Sequence, residues 1–177
     1  MTPIPARAMA HCAVLLPGVE DVVSYFMTGL EERFLGFDTA AVKWTAMAYP
    51  RPCTYADLHL GAWEWRVVLD PAGCTEALES SLRQCAASQP LPIASGPWGL
   101  PPTAVEAALA AHRASVLIFV TGSPEDATPL EVLRALARVA WAWVDAGASL
   151  VAWPEGRVAW DPAYLREFRP SALGPEE

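Results

Sequence analysis

Residues 112–160 of this chain read HRASVLIFVTGSPEDATPLEVLRALARVAWAWVDAGASLVAWPEGRVAW, and their pattern is the strongest indication of the fold. Its apolar beginning, Ala114–Val120, predicts a buried strand. A helix start follows, because Thr128 is a good N-cap and is followed by a proline and, three positions on, by a glutamate. The helix Pro129–Ala146 stops at Gly147, and a hairpin follows in which Gly156 is expected to supply the permissive turn residue. The segment therefore predicts a complete βαββ unit.

The helix Pro129–Ala146 is apolar around most of its circumference. Its polar side chains form one stripe, which spans roughly 60° of arc at about 100° per residue. The stripe consists of Glu131, Arg134, Arg138 and Asp145. A helix with so little polar surface must be covered on more than one side, by a sheet and by something else.

The first half of the chain gives a similar order of elements. Apolar residues recur there at helical spacing in one segment and alternate with polar residues in others. The expected elements before residue 112 are a strand over Cys12–Leu16, a helix from Val19 to Phe34, strands over Ala41–Ala48 and Trp63–Leu69, and helices over Thr75–Ala87 and Ala104–Ala111. A short terminal helix is expected near Tyr164–Phe168.

This order predicts an α+β fold with a mainly antiparallel sheet and the helices packed on one face of it. It also allows two pseudo-repeated βαββ units, one in each half. The length of 177 residues and the apolar content of 53% predict a single domain over residues 9–169. The proline-rich start, residues 1–8, and the tail, residues 170–177, are expected to be flexible.

Composition also limits where the protein acts and what it binds. Four scattered cysteines without a CxxC pair indicate reduced thiols and a cytoplasmic protein. No segment approaches the 18 or so apolar residues of a membrane span. The net charge of −8 comes without a basic patch, which argues against nucleic acid as a partner and favours solubility or a basic protein partner.

From the proline-rich loop onward, the chain resembles the bacterial family known as domain of unknown function 4261. The resemblance is carried by Pro90-Leu91-Pro92, by His112-Arg-Ala-Ser-Val-Leu-Ile118, and by the helix with the following strand Ala148–Trp153. It covers roughly residues 90–160. It implies a bacterial, intracellular α+β domain, and families of this kind often occur among toxin–immunity and secretion-associated genes.

Few residues suggest chemistry. His112 lies between a helix end and a buried strand, where it serves either as a structural cap or as a catalytic base acting with a carboxylate. His11 and Cys12 are neighbours in a strand and point to opposite faces, so they cannot form a catalytic pair with each other. Cys53, Asp57 and His59 are close in sequence but lack the spacing of a metal site. No cofactor and no metal are expected.

Trp98 and the carboxylates Glu125 and Asp126 are the candidate partner-binding residues. Trp98 lies in a proline–glycine loop, so it is either an exposed anchor for a partner or a ring folded over the core. The leading hypothesis is a non-enzymatic protein-binding domain, an immunity-type inhibitor of a bacterial toxin or a secretion-associated partner. The alternatives are an enzyme that uses His112 and a structural domain that self-associates as a homodimer through the apolar helix.

Overall fold

The structure is a computed structural model, and it describes residues 4–5, 7–18, 22–34, 37–48, 52–88, 100, 102–163 and 165–166. The strands are β1 Ala10–Leu16, β2 Thr45–Met47, β3 Cys53–Leu60, β4 Trp63–Asp70, β5 Ala114–Gly122, β6 Leu150–Trp153 and β7 Val158–Trp160. The helices are α1 Val22–Arg33, α2 Glu76–Ser88, α3 Pro102–Ala111 and α4 Pro129–Asp145, with a short 3₁₀ helix at Thr39–Ala41.

The seven strands of the described residues form one sheet in the order β2-β3-β4-β5-β1-β6-β7. Every neighbouring pair is antiparallel. The central pair, β1 and β5, runs in register from Ala10 opposite Val120 to Leu16 opposite Ala114. The predicted α+β class with a mainly antiparallel sheet is confirmed.

The helices, however, cover both faces of the sheet, whereas the sequence predicted one. In β1, the side chains of Cys12, Val14 and Leu16 join a core with α1 and α4. Ala13 and Leu15 point the other way, into a second core with α2 and α3. A strand that is apolar at successive positions is typical of a sheet buried on both faces, and the run CAVLL carried that signal.

On the first face, α4 lies between the sheet and α1. The ring of Phe26 in α1 stacks on Trp143 in α4 with centroids 4.1 Å apart. Gly29 lets the two helices approach closely, because a Cβ there would stand 3.3 Å from the Cα of Ala142. On the sheet side, the indole Nε1 of Trp65 donates to the carbonyl of Ala135 at 3.2 Å. The predicted second cover of α4 therefore comes from within the chain.

The predicted polar stripe of α4 is confirmed as its solvent-facing side. Its four members, Glu131, Arg134, Arg138 and Asp145, are all exposed. Beyond the helix end, Gly147 has φ +99°, and its N–H donates to Val144. The guanidinium of Arg166 donates to the same Val144 carbonyl at 2.6 Å, where a cation complements the helix dipole.

On the second face, α2 and α3 pack over the central strands and β6. Leu82 and Cys85 of α2 meet Val105 and Leu109 of α3 in this core. At the surface, Arg83 joins the two helices by donating to Glu106 at 2.7 Å and to Glu79 at 3.2 Å. This second core is smaller than the first.

The two halves of the chain share the sheet but are not equivalent. The first half continues from β1 and α1 with three strands, β2, β3 and β4, which extend from one sheet edge to β5. The second half continues from β5 and α4 with only two strands, β6 and β7, which extend from β1 to the other edge. The strand predicted over Ala41–Ala48 is observed only over Thr45–Met47. Its first predicted residue, Ala41, belongs to the 3₁₀ helix, whose N-cap Asp38 accepts from the N–H of Ala40. The sequence prediction missed β3 altogether.

Candidate protein-binding surface

An apolar groove opens at the end of the sheet where β1 begins, α4 starts and β6 ends. Its volume is about 430 Å³. It is lined by Met9, Ala10, Ala127, Pro129, Val132, Leu133, Trp153 and Glu155. We call it the α4 groove. Among the described residues that line it, Glu155 is the one with an ionisable side chain.

The capping box at the start of α4 fixes one wall of the α4 groove. The hydroxyl of Thr128 accepts from the N–H of Glu131, and the Glu131 carboxylate accepts from the N–H of Thr128 at 2.7 Å. These hydrogen bonds lower the pKa of Glu131 below its usual value, since they favour the ionised form. The predicted N-cap, proline and glutamate are confirmed, and the cap occupies the helix N-terminus.

The hairpin between β6 and β7 provides the opposite wall. Trp153 lies so close to Gly156 that any side chain at position 156 would collide with its ring. Gly156 does not have a positive φ, whereas Arg157 does, at 52°. The expectation that Gly156 supplies the permissive turn conformation was therefore wrong. Glycine is needed here for the close approach of an aromatic ring.

His11 and Glu155 form a contact that sequence reasoning missed. The imidazole Nδ1 of His11 pairs with Oε1 of Glu155, which ties β1 to the hairpin. The His11 ring also stacks on Phe119 of β5, with centroids 5.6 Å apart. His11 and Glu155 lie far apart in sequence, so no local pattern could have predicted that they meet.

The predicted partner-binding carboxylates lie beside the α4 groove. Glu125 and Asp126 are exposed in the turn before α4, and Ala127, the next residue, lines the groove. Among the described residues, two of the four exposed large apolar side chains are also at this end: Met9 is 54% exposed and Leu130 is 57% exposed. Trp98 lies outside the described residues, so its position relative to the groove stays a prediction.

Both ring nitrogens of His112 are hydrogen-bonded to backbone groups. Its Nε2 accepts from the backbone N–H of Cys74 at 3.0 Å. Its Nδ1 is hydrogen-bonded to the carbonyl of Leu109. With both ring nitrogens held by backbone groups, the imidazole connects the end of α3 to the turn after β4, and neither nitrogen is left over for proton transfer.

The residues considered for a metal site have other partners. Asp57 accepts two hydrogen bonds from Arg66 across the β3–β4 pair, at 2.7 and 2.8 Å. The Nδ1 atom of His59 lies 3.7 Å from Oε1 of Glu64. No group of three or more metal-ligating side chains occurs in the part of the chain that the structure describes.

The four cysteines are free thiols. Burial raises the pKa of Cys12 far above its usual range, and the nearby Glu155 carboxylate adds to the effect. Burial also raises the pKa of Cys53 and of Cys85. Because the thiolate is the reactive form of cysteine, a raised pKa lowers the thiolate fraction at these three positions near neutral pH.

Comparison with protein-family models, curated proteins and solved structures finds no match for this chain. The resemblance to domain of unknown function 4261 therefore stays a prediction. Within the described residues, no helix is both long enough and apolar enough to cross a bilayer.

Proposed function

We propose that this chain is a non-enzymatic protein-binding domain whose partner docks at the α4 groove. The observation that carries the proposal is an apolar groove flanked by exposed Met9 and Leu130. Single exposed apolar residues are ordinary, but their concentration around a groove is typical of interaction sites. Glu125 and Asp126 would form the polar rim of the contact.

The specific form of this proposal is an immunity-type inhibitor of a toxin, or a binder of a secretion-associated protein. The net charge of −8 supports a basic partner, since complementary charge speeds association. The resemblance to domain of unknown function 4261 supports the biological setting.

The two alternatives have less support from the geometry. An enzyme that uses His112 would need a free ring nitrogen, and both nitrogens are hydrogen-bonded to the backbone. A homodimer through α4 was motivated by the apolar surface of that helix, and this surface is buried against α1 and the sheet.

Affinity capture from a lysate of the source cells tests the proposal when two matched variants are compared. Met9→Ser removes an exposed apolar side chain from the groove, and Tyr25→Ser removes one from α1, where Tyr25 is 62% exposed. Tyr25 adjoins Phe26, whose ring contacts Trp143 near the other end of α4. We expect wild type and the Tyr25→Ser variant to retain a partner that the Met9→Ser variant loses. A partner that all three proteins retain equally would place the interface elsewhere.

Trp98 is tested with the same partner. If Trp98 is an anchor, Trp98→Ala should weaken binding by about 2 kcal/mol or more, measured by isothermal titration calorimetry. An unchanged affinity removes Trp98 from the interface but leaves the α4 groove as the site, since the two assignments rest on different residues.

A further inference from the structure

We infer that the α4 groove takes a basic side chain, lysine or arginine, from the protein partner. The inference rests on the proposed function and names the chemistry that the groove recognises. Its basis is the combination of a mainly apolar lining with one carboxylate, Glu155, and one indole ring, Trp153, which lie two residues apart in the β6–β7 hairpin.

The walls suit the stem of such a side chain. Met9, Val132 and Leu133 provide apolar surface along the groove. Lysine and arginine bury their methylene stems on surfaces of this kind while the charged head reaches a polar partner. The volume of about 430 Å³ falls within the range of small-ligand sites, roughly 300–1,000 Å³, and so has room for one long side chain.

The hairpin end of the groove suits the charged head. Glu155 is 47% exposed, and its Oε1 is engaged by His11. Because about half of the Glu155 side chain is exposed, its carboxylate can accept a hydrogen bond from the guest in addition to the contact with His11. Trp153 lies two residues away and lines the same groove. A cation close to an indole ring is attracted to the face of that ring, and a carboxylate adds a charge-assisted hydrogen bond.

The charges around the groove favour a cation over an anion. The N-terminus of α4 carries a partial positive charge of about half a unit. The ionised carboxylate of Glu131 offsets it, and Glu125 and Asp126 add two more negative charges in the preceding turn. No basic residue lines the groove as described. Arg157 is exposed and makes no ion pair with Glu155 in the part of the chain that the structure describes.

Nuclear magnetic resonance titration of the full chain tests the inference with small probes. N-acetyl-arginine amide is compared with N-acetyl-citrulline amide, which has the same shape without the charge. Nα-acetyl-lysine amide, which keeps its side-chain ammonium, is compared in the same way with Nα-acetyl-norleucine amide. We expect saturable shifts of the Trp153 indole N–H and of the Val132 and Leu133 methyl groups with a basic probe. The neutral counterpart should bind at least about tenfold more weakly, because hydrogen bonds to charged groups are the stronger ones.

Two variants locate the charge that is recognised. Glu155→Gln should remove most of the preference for arginine over citrulline. Glu32→Gln, an exposed carboxylate in α1, is the matched control and should leave the preference intact. If Glu155→Gln fails to fold because the contact with His11 is altered, the comparison of charged and neutral probes on the wild type decides alone.

The outcomes separate this inference from the proposed function. Equal binding of charged and neutral probes in the groove overturns the preference for a basic side chain and leaves the groove as a binding site. Shifts confined to residues away from the groove, or no shifts with either basic probe, also overturn the inference. If the Met9→Ser variant retains the partner as well as wild type does, the α4 groove is not the docking site of the proposed function, whatever the probes show.

Discussion

The two ends of helix α4 have opposite surroundings. Towards its C-terminus, six consecutive residues from Val139 to Val144 are buried, and Trp143 lies between the sheet core and Phe26 of α1. At its N-terminus, Pro129, Leu130 and Glu131 are exposed beside the α4 groove. One continuous helix therefore closes the core at one end and borders, at the other, the groove that we propose as a binding surface.

The two ends should therefore respond differently to substitution. Changes at the buried end should act on the free energy of unfolding, because they remove packed apolar surface. Changes at the groove end should have smaller effects on stability and larger effects on binding, because the side chains there are exposed. Five substitutions test this contrast.

Trp143→Ala should have the largest effect on stability. The ring is fully buried and stacks on Phe26, so its removal should lower the free energy of unfolding by about 3–5 kcal/mol. Urea denaturation followed by circular dichroism gives the value. Tyr25→Ala, at an exposed position of α1, should change stability by no more than about 0.5 kcal/mol. A small loss for Trp143→Ala would contradict the packing of α4 between α1 and the sheet.

Gly156→Ala should have the next largest effect. The added methyl group would collide with the ring of Trp153, and overpacking of this kind costs about 1–3 kcal/mol. Thermal unfolding measures the loss of stability, and the additional stabilisation by a groove probe measures whether the groove still binds it. At Gly18, an added Cβ meets no atom within 4 Å, so Gly18→Ala should be neutral or slightly stabilising. Equal effects at the two glycines would show that Trp153 does not lie against the turn.

Thr128→Ala should cost about 1 kcal/mol, because the N-cap hydroxyl accepts a backbone hydrogen bond at the start of α4. Hydrogen exchange should show faster opening of the first turn, while the amides near Trp143 keep their protection. Faster exchange along the whole helix would mean that the two ends are not independent.

Glu131→Gln should have an effect that depends on pH. Hydrogen bonds from Thr128 lower the folded-state pKa of Glu131 below its ordinary value of 4.5. Its contribution to stability is therefore complete above that pH and is lost as the pH falls through the folded-state value. The stability difference between wild type and Glu131→Gln should shrink in this acid range. In a Thr128→Ala background the same difference should depend less on pH, and an unchanged dependence would assign it to another group.

Leu130→Ser should have the smallest effect on stability, within about 0.5 kcal/mol, because the side chain is 57% exposed. Its effect should appear in binding, where a captured partner should be held less tightly than by wild type. Titration of the purified partner measures this. A large loss of stability would show that Leu130 belongs to the core, and the contrast between the two ends of α4 would then fail.

Much of this architecture could be predicted from local patterns. The capping residues of α4 and its polar stripe act within a few residues of one another, so the sequence contains the whole interaction. β3 was missed although its pattern was available, since Ala56 and Leu58 are buried and alternate with the more polar Tyr55 and Asp57.

The candidate site was predicted less well. Glu125 and Asp126 were identified as exposed turn residues, but the groove beside them is built from β1, α4 and β6 together. Met9, Trp153 and Glu155 enter it from positions that no spacing rule relates. His112 looked chemically promising from its place in the chain, and only its contacts with Cys74 and Leu109 assign it a structural role.

The α+β class, the cap and polar stripe of α4, and the acidic character of the chain could all be read from the sequence, because each follows from local periodicity, local hydrogen bonding or composition. Three further features are visible only in the folded chain: helices cover both faces of one sheet, α1 buries the second side of α4, and His11 meets Glu155. These depend on which elements pair across the sheet, and contacts between residues distant in the chain leave no periodic trace in the sequence.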